Sequence, residues 1–267
     1  MASPQSNQTN QCPECDGTTW KHLERDGIDV VTRCECRLGD LRQSIMEKTG
    51  VPGRYVDCAF DARSGGKPYD RLRPSLARAH KVAEGWADRF PDVDAGLLLS
   101  GSPGVGKTHL SVAILRRIVH EREIKAEALF TDYRALLRDI KRSYHPDAPI
   151  TESDVLRPIL DAEPLVLDDL GGENPTLWVF DTLFYILNYR YNEKKLTIIT
   201  TNYSDRATQS PAPSGGKRFS ARFAGREETL SDRVTERLRS RLYEMCRDVS
   251  IDGDDYRQST VQANFTS

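Results

Sequence analysis

Neither sign of charge is in excess in this 267-residue sequence: 38 Lys+Arg stand against 40 Asp+Glu. Global charge therefore carries no strong nucleic-acid signal. Long apolar runs are also missing. None approaches the roughly 18 residues that a membrane span needs, which excludes an integral membrane protein. Met1 to Gln11 is polar and lacks the hydrophobic core of a secretory signal, which argues against export. The six cysteines are then poorly suited to a disulfide framework and better suited to metal ligation or free thiols. What is present is a 38 % hydrophobic fraction in clustered, periodic runs, enough to fill a core and to exclude disorder throughout. The expectation is a cytoplasmic protein of a reducing compartment, with no membrane partner.

Composition divides the chain. Residues 1–11 form a Gln/Asn/Ser/Thr tail expected to be disordered. Residues 12–60 hold five of the cysteines among short apolar runs and are expected to form a small module. Residues 61–92 read as a linker, with Ser64-Gly65-Gly66-Lys67-Pro68, followed by a helix from Pro74 to Phe90. Residues 93–260 are expected to be one α/β domain. There Leu97-Leu98-Leu99, Ala128-Leu129-Phe130, Leu165-Val166-Leu167 and Leu196 to Thr200 read as strands. Helices are expected between them, at Lys107 to Glu121, Tyr133 to Tyr144 and Trp178 to Lys194. Such alternation argues for a mostly parallel sheet flanked by helices. Residues 205–230 break the rhythm with Pro211, Pro213, Gly215 and Gly216, and carry Lys217, Arg218, Arg222 and Arg226. A last helix from Ser231, read as its N-cap, to Arg247 precedes a short strand, Val249-Ser250-Ile251.

Gly101-Ser102-Pro103-Gly104-Val105-Gly106-Lys107-Thr108 matches G-x-x-x-x-G-K-[ST], after a strand and opening a helix. Glycines let backbone N–H groups turn around a phosphate, and the helix start adds its positive dipole end. Lys107 would reach the β- and γ-phosphates of ATP, and the Thr108 hydroxyl would ligate Mg²⁺. Asp168 and Asp169 end the third strand. One carboxylate there can hold the magnesium water shell while its neighbour orients or deprotonates the attacking water. Asp169 stands where many such ATPases carry Glu. Asn202, after Thr200-Thr201, can sense the γ-phosphate.

Cys12-Pro13-Glu14-Cys15 and Cys34-Glu35-Cys36 form C-x₂-C-x₁₈-C-x-C. Two thiolate pairs suit a closed, structural Zn²⁺ site that supplies folding energy to a segment this small. Redox thiols are the competing reading, but the thioredoxin-like βαβ setting is absent. Val30-Val31-Thr32 looks like a strand feeding the second pair, as in a zinc ribbon. His22 and Cys58 are spare candidate ligands. Cys246 reads as a buried thiol.

The phosphate loop, LVLDDLGGE, NYRYNEKKLTIITTNYS and SRLYEMCRDVSIDGDDYR, in this order, resemble the DnaC/DnaI-type helicase loaders, which are AAA+ ATPases. The resemblance spans about residues 51–257, including Val51-Pro52-Gly53-Arg54-Tyr55 and Ala59-Phe60-Asp61. It implies a self-oligomerising AAA+ ATPase without a separate helical lid, which delivers a DnaB-like replicative helicase onto single-stranded DNA during replication initiation. It implies that Asn202 is the sensor-1 residue, Arg241 the arginine finger acting on a neighbouring subunit, and Arg257 the sensor-2 arginine. Arg237, one turn before Arg241, remains open as the finger. Cysteine-bearing N-terminal modules of some loaders contact the helicase, and residues 12–60 would do so here. Two alternatives stand: an IstB-like transposition helper ATPase, and a nucleotide-switched adaptor with little hydrolysis. DNA contacts are expected from the basic stretches at 138–142 and 217–226, the latter with Phe219 and Phe223.

Overall fold

The computed structural model describes residues 12–16, 18, 20–25, 28–34, 44, 46–60, 74–121, 127–205 and 228–256. The chain divides into two compact units, Met1–Lys48 and Thr49–Ser267. Among the described residues, no helix is long and apolar enough to cross a membrane.

The smaller unit is built on an antiparallel hairpin of β1 (Trp20–Arg25) and β2 (Ile28–Arg33), with Trp20 opposite Arg33 and Arg25 opposite Ile28. The strand expected at Val30–Thr32 lies within β2. Its partner β1 is not evident in the sequence, because WKHLER interleaves charge with only Trp20 and Leu23 as large apolar residues.

The first described α-helix of the larger unit is α1 (Pro74–Arg89), followed by β3 (Gly96–Gly101), α2 (Lys107–Glu121), β4 (Leu129–Asp132), α3 (Tyr133–Ser143) and α4 (Glu152–Asp161). Then come β5 (Leu165–Leu170), α5 (Leu177–Asn192), β6 (Thr197–Thr201), α6 (Leu230–Val234), α7 (Glu236–Met245) and β7 (Cys246–Ile251). The five strands are parallel, in the order β4-β5-β6-β3-β7. Strand periodicity sorts the core into two layers. Leu97, Leu99, Val166, Ile198 and Ile251 pack against α1 and α2 on one face. Leu98, Leu165, Leu167 and Ile199 pack against α3, α4, α5, α6 and α7 on the other. Burial on both faces is why β3 carries the run Leu97-Leu98-Leu99 and β5 the run Leu165-Val166-Leu167.

Four expectations are corrected. Residues 49–60 and α1 belong to the larger unit, so the boundary falls at Lys48/Thr49 and not at residue 60. The reason is packing: Val51, Tyr55, Cys58 and Phe60 join the core around Ala79, Ala83 and Trp86 of α1. Arg116 Nη1 donates to the Val56 carbonyl at 3.1 Å, tying the same segment to α2. Second, the last helix is two helices, because Thr235 takes φ 73° and ends α6. Its hydroxyl then caps α7 by accepting from the Leu238 N–H at 3.5 Å. Third, Thr229 and not Ser231 caps α6, its N–H donating to Asp232 Oδ2 at 2.8 Å. Fourth, β5 does not end at Asp168-Asp169 but runs to Leu170, with a register shift after Leu167.

Helix α4 was not expected, since Pro158 lies inside it and interrupts the apolar pattern. Its legible signal is the capping box, in which Thr151 N–H donates to Asp154 Oδ2 at 2.8 Å. The loop expected over 205–230 lies, from residue 206 to 227, outside the described residues.

Candidate nucleotide site

The carboxyl ends of β3, β5 and β6 are neighbours in the sheet, and each delivers part of one site. The loop after β3 turns through Gly101, Gly104 and Gly106, all with positive φ. Gly104 is also held by space: a Cβ there would stand 1.7 Å from Asp255 Oδ1. Lys107 is folded back into this loop, donating from Nζ to the carbonyls of Gly101 at 2.7 Å and Ser102 at 2.8 Å. The same ammonium reaches Asn202 Oδ1 at 2.8 Å. Carbonyl oxygens are the acceptors such a cation exchanges for phosphate oxygens.

Asp168 is buried within β5, two residues before its end. It accepts from the Thr108 hydroxyl at 2.9 Å and from the Thr200 hydroxyl at 2.6 Å. Burial pushes its pKa up; the two hydroxyls oppose this, and the Asp169 and Asp132 carboxylates add to it. A buried carboxylate against a hydroxyl is the hard-oxygen donor set that Mg²⁺ takes, so Thr108 and Asp168 fit that ion. Asp169 takes φ 59°, with its N–H donating to Thr200 Oγ1 at 2.9 Å. Its Oδ1 accepts from Asn202 Nδ2 at 2.7 Å. Burial raises its pKa also, with Arg134 and Lys107 lowering it and Asp132 raising it.

These side chains line a cleft of about 470 Å³, within the range of small-molecule sites. Arg54, Tyr55, His109, Asp132 and Tyr256 complete its wall, and sequence reasoning assigned none of them a role. His109 follows the loop directly, with Nε2 3.3 Å from the Ala59 carbonyl oxygen, and burial pushes its pKa down. Only the motif-like segment at 51–55 signalled Arg54 and Tyr55. Tyr256 arrives through its N–H, which donates to the Gly104 carbonyl at 3.2 Å.

Arg241 does not line the cleft. Its guanidinium lies 4.8 Å from the Phe184 ring centroid and 5.5 Å from that of Tyr191. Its Nη1 is buried without a hydrogen-bond partner among the described residues. Arg237 is exposed, 5.3 Å over the same Phe184 ring. Arg257 and Cys36 lie outside the described residues.

In the smaller unit, the sulfurs of Cys12, Cys15 and Cys34 lie within 4.8 Å of one another, and Cys12 and Cys34 are 3.7 Å apart. Four sulfurs at about 2.3 Å from one tetrahedral Zn²⁺ stand about 3.8 Å from each other, so three of the four expected ligands fit that ion. The turn from Cys12 to Asp16 and the end of β2 bring them together.

The description "IstB-like ATP binding protein" matches residues 69–211, more than half of the chain. The crystal structure of the DnaC helicase loader is 33 % identical, with a TM-score of 0.58, over 75 % of this chain and 99 % of that one. This chain belongs to the IstB/DnaC family. It has the AAA+ P-loop ATPase fold, with helices on both faces of the parallel sheet. A crystal structure of DnaI shares that fold at 23 % identity and TM-score 0.54, over 78 % of this chain and 95 % of that one. The replicative helicase loader DnaC of Buchnera aphidicola subsp. Acyrthosiphon pisum is 23 % identical over 169 residues, 63 % of this chain. The match spans 65 % of that relative's length. Membership of the IstB/DnaC family implies a nucleotide and Mg²⁺ as ligands.

Proposed function

We propose that this protein is an ATP-hydrolysing loader of a DnaB-like replicative helicase onto single-stranded DNA. The observation that carries the reading is the assembled phosphate site in a chain one-third identical to a DnaC helicase loader along nearly all of that loader's length. With ATP, Lys107 exchanges the Gly101 and Ser102 carbonyls for β- and γ-phosphate oxygens. Thr108 and Asp168 would hold Mg²⁺, whose chemistry there would be charge neutralisation on the phosphates. Asp169 orients the attacking water and takes its proton, and Asn202 registers the γ-phosphate. Arg241 is assigned to the next subunit's phosphate, with Arg237, the more exposed guanidinium, as the alternative on the same helix. Arg257 is assigned as the sensor-2 arginine.

Two surfaces support the partners. On the hairpin, exposed Leu23 and Val30 stand opposite each other on one face and exposed Trp20 and Val31 lie on the other, apolar contacts for the helicase. On α3, Arg138, Lys141 and Arg142 are exposed, and Lys141 Nζ lies 4.8 Å over the Trp178 ring, a basic and aromatic setting for single-stranded DNA. The test is gel-filtration of the full chain with a purified replicative helicase under ATP, ADP or neither. Co-elution with ATP, and salt-sensitive retention of single-stranded DNA by the complex, are expected. Absence of a complex in all three conditions removes the loader reading. The match to IstB-like proteins favours a second reading, a transposition helper, for which duplex DNA and no helicase would be retained.

The cysteine cluster is assigned structural zinc, with Cys36 as fourth ligand. Metal analysis of freshly reduced protein is expected to find about one Zn²⁺ per chain, and Cys12→Ser with Cys34→Ser is expected to lose it. ATP binding should persist in that variant, because the phosphate loop lies in the other unit. Metal-free parent protein would refute the assignment.

A further inference from the structure

The polar chain across the strand ends continues beyond Asn202. Lys107 reaches Asn202, and Asn202 reaches Asp169 Oδ1. The other carboxylate oxygen, Oδ2, faces Arg134 Nε at 3.9 Å. Arg134 stands in the first turn of α3, whose cap Asp132 accepts from the Ala135 N–H at 2.7 Å. Gly172 makes room for the pair. A Cβ there would stand 2.5 Å from Asp169 Oδ2 and 2.8 Å from Arg134 Nε, so any larger residue would drive the two apart. The Gly172 N–H also donates to the Asp169 carbonyl at 3.0 Å, closing the turn on which the carboxylate stands.

Stability does not account for this arrangement. The Arg134 side chain is 52 % exposed and that of Asp169 is 29 % exposed, and such pairs contribute little to folding. Yet Asp169 holds a left-handed backbone, φ 59°, which costs a non-glycine residue energy. Backbone strain, a glycine cradle and a guanidinium thus converge on one carboxylate. Asp is one methylene shorter than Glu and reaches a water from fewer directions. Asn202 alone anchors one oxygen and leaves rotation about the terminal torsion, a broad well. A second contact at Oδ2 restricts it.

We propose that Arg134 is a positioning residue for ATP hydrolysis, holding the Asp169 carboxylate at the angle from which it engages the attacking water. The proposal rests on the reading that Asp169 handles that water. It is tested by steady-state hydrolysis and fluorescent-ATP-analogue binding on the full chain carrying Arg134→Ala, Arg134→Lys, Gly172→Ala or Asp169→Asn. Misplacement of a catalytic group by about 1 Å can cost about 10²-fold. Arg134→Ala is expected to lower kcat by about 10-fold or more with KM and analogue affinity within about 2-fold, the signature of a contact that matters only in the transition state. Arg134→Lys is expected to recover part of the rate, since the contact is one of charge and not a bidentate fork. Gly172→Ala is expected to reproduce the loss by pushing Asp169 off Arg134. An Arg134→Ala enzyme with parental kcat beside an inactive Asp169→Asn overturns the positioning role alone. So does a change confined to KM. Parental activity in Asp169→Asn, or a parent chain that binds ATP without turnover, overturns the reading of Asp169 and the positioning role with it.

Discussion

Lys107→Ala is expected to lose ATP binding, and Arg241→Ala to bind ATP as the parent does while losing assembly-dependent hydrolysis by about 10³-fold. The two losses differ in kind. Lys107 is buried in its own loop, 2.7 to 2.8 Å from two carbonyls and from Asn202, so its removal strips the ground-state cradle. Arg241 stands apart from the cleft, over Phe184 and Tyr191, and its proposed role is on the phosphate of a neighbouring subunit. A guanidinium delivered in trans stabilises charge that develops in the transition state and costs little in binding when absent. Mixing the two inactive variants is the decisive measurement. A hybrid interface joins an intact loop to an intact arginine, and part of the turnover should return. A mixture that co-assembles but stays inactive fails Arg241, and the same mixing with Arg237→Ala then assigns the role one turn earlier on α7.

The second large effect is on stability. Arg190 is 0 % exposed, on α5, and its guanidinium knits three elements. Nη1 donates to the carbonyls of Ile159, Leu160 and Ala162 at 2.8, 3.1 and 3.0 Å. Nη2 donates to the Leu196 carbonyl at 2.7 Å, and Nε to the Thr197 hydroxyl at 3.0 Å. It therefore satisfies the last carbonyls of α4, the helix that contains Pro158, and ties them to the start of β6. Burial pushes its pKa down to about 10, with Glu163 partly opposing the shift. The charge thus costs energy, which the five hydrogen bonds offset. Arg190→Ala removes all five and leaves buried carbonyls unpaired, and a loss of about 3–5 kcal/mol is expected. Urea unfolding should show a lower midpoint at unchanged m. Arg190→Lys should recover only part, because three donors on one point cannot span four carbonyls. A loss under about 1 kcal/mol for Arg190→Ala would contradict this role.

Arg190 also marks where sequence reading stops. In LFYILNYRYN it reads as one charge in an aromatic helix, and nothing local says that four carbonyls from two other elements converge on it. Gly172 is similar: in LGGE it reads as a turn residue, and only the distances show that its missing side chain admits Asp169 and Arg134 together. The break at Thr235 was hidden because the apolar positions Leu230, Val234, Leu238 and Leu242 keep a helical spacing across it. The boundary at Lys48/Thr49 was hidden because residues 49–60 are ordinary in composition and join the larger core only by packing.

By itself the sequence determined the chemistry that is local along the chain. The phosphate loop, the carboxylates after an apolar strand, the polar end of the next strand and the cysteine spacing are contiguous patterns whose backbone needs are met within a few residues. It determined the alternating parallel architecture too, because strands buried on both faces carry near-continuous apolar runs. The tertiary structure alone decided which strand ends meet, and so that Lys107, Asn202, Asp169 and Arg134 form one polar chain. That outcome depends on the strand order β4-β5-β6-β3-β7, which sets residues far apart in the chain side by side. Hydrogen bonds and ion pairs act over about 3–4 Å, a separation in space that no separation in sequence encodes.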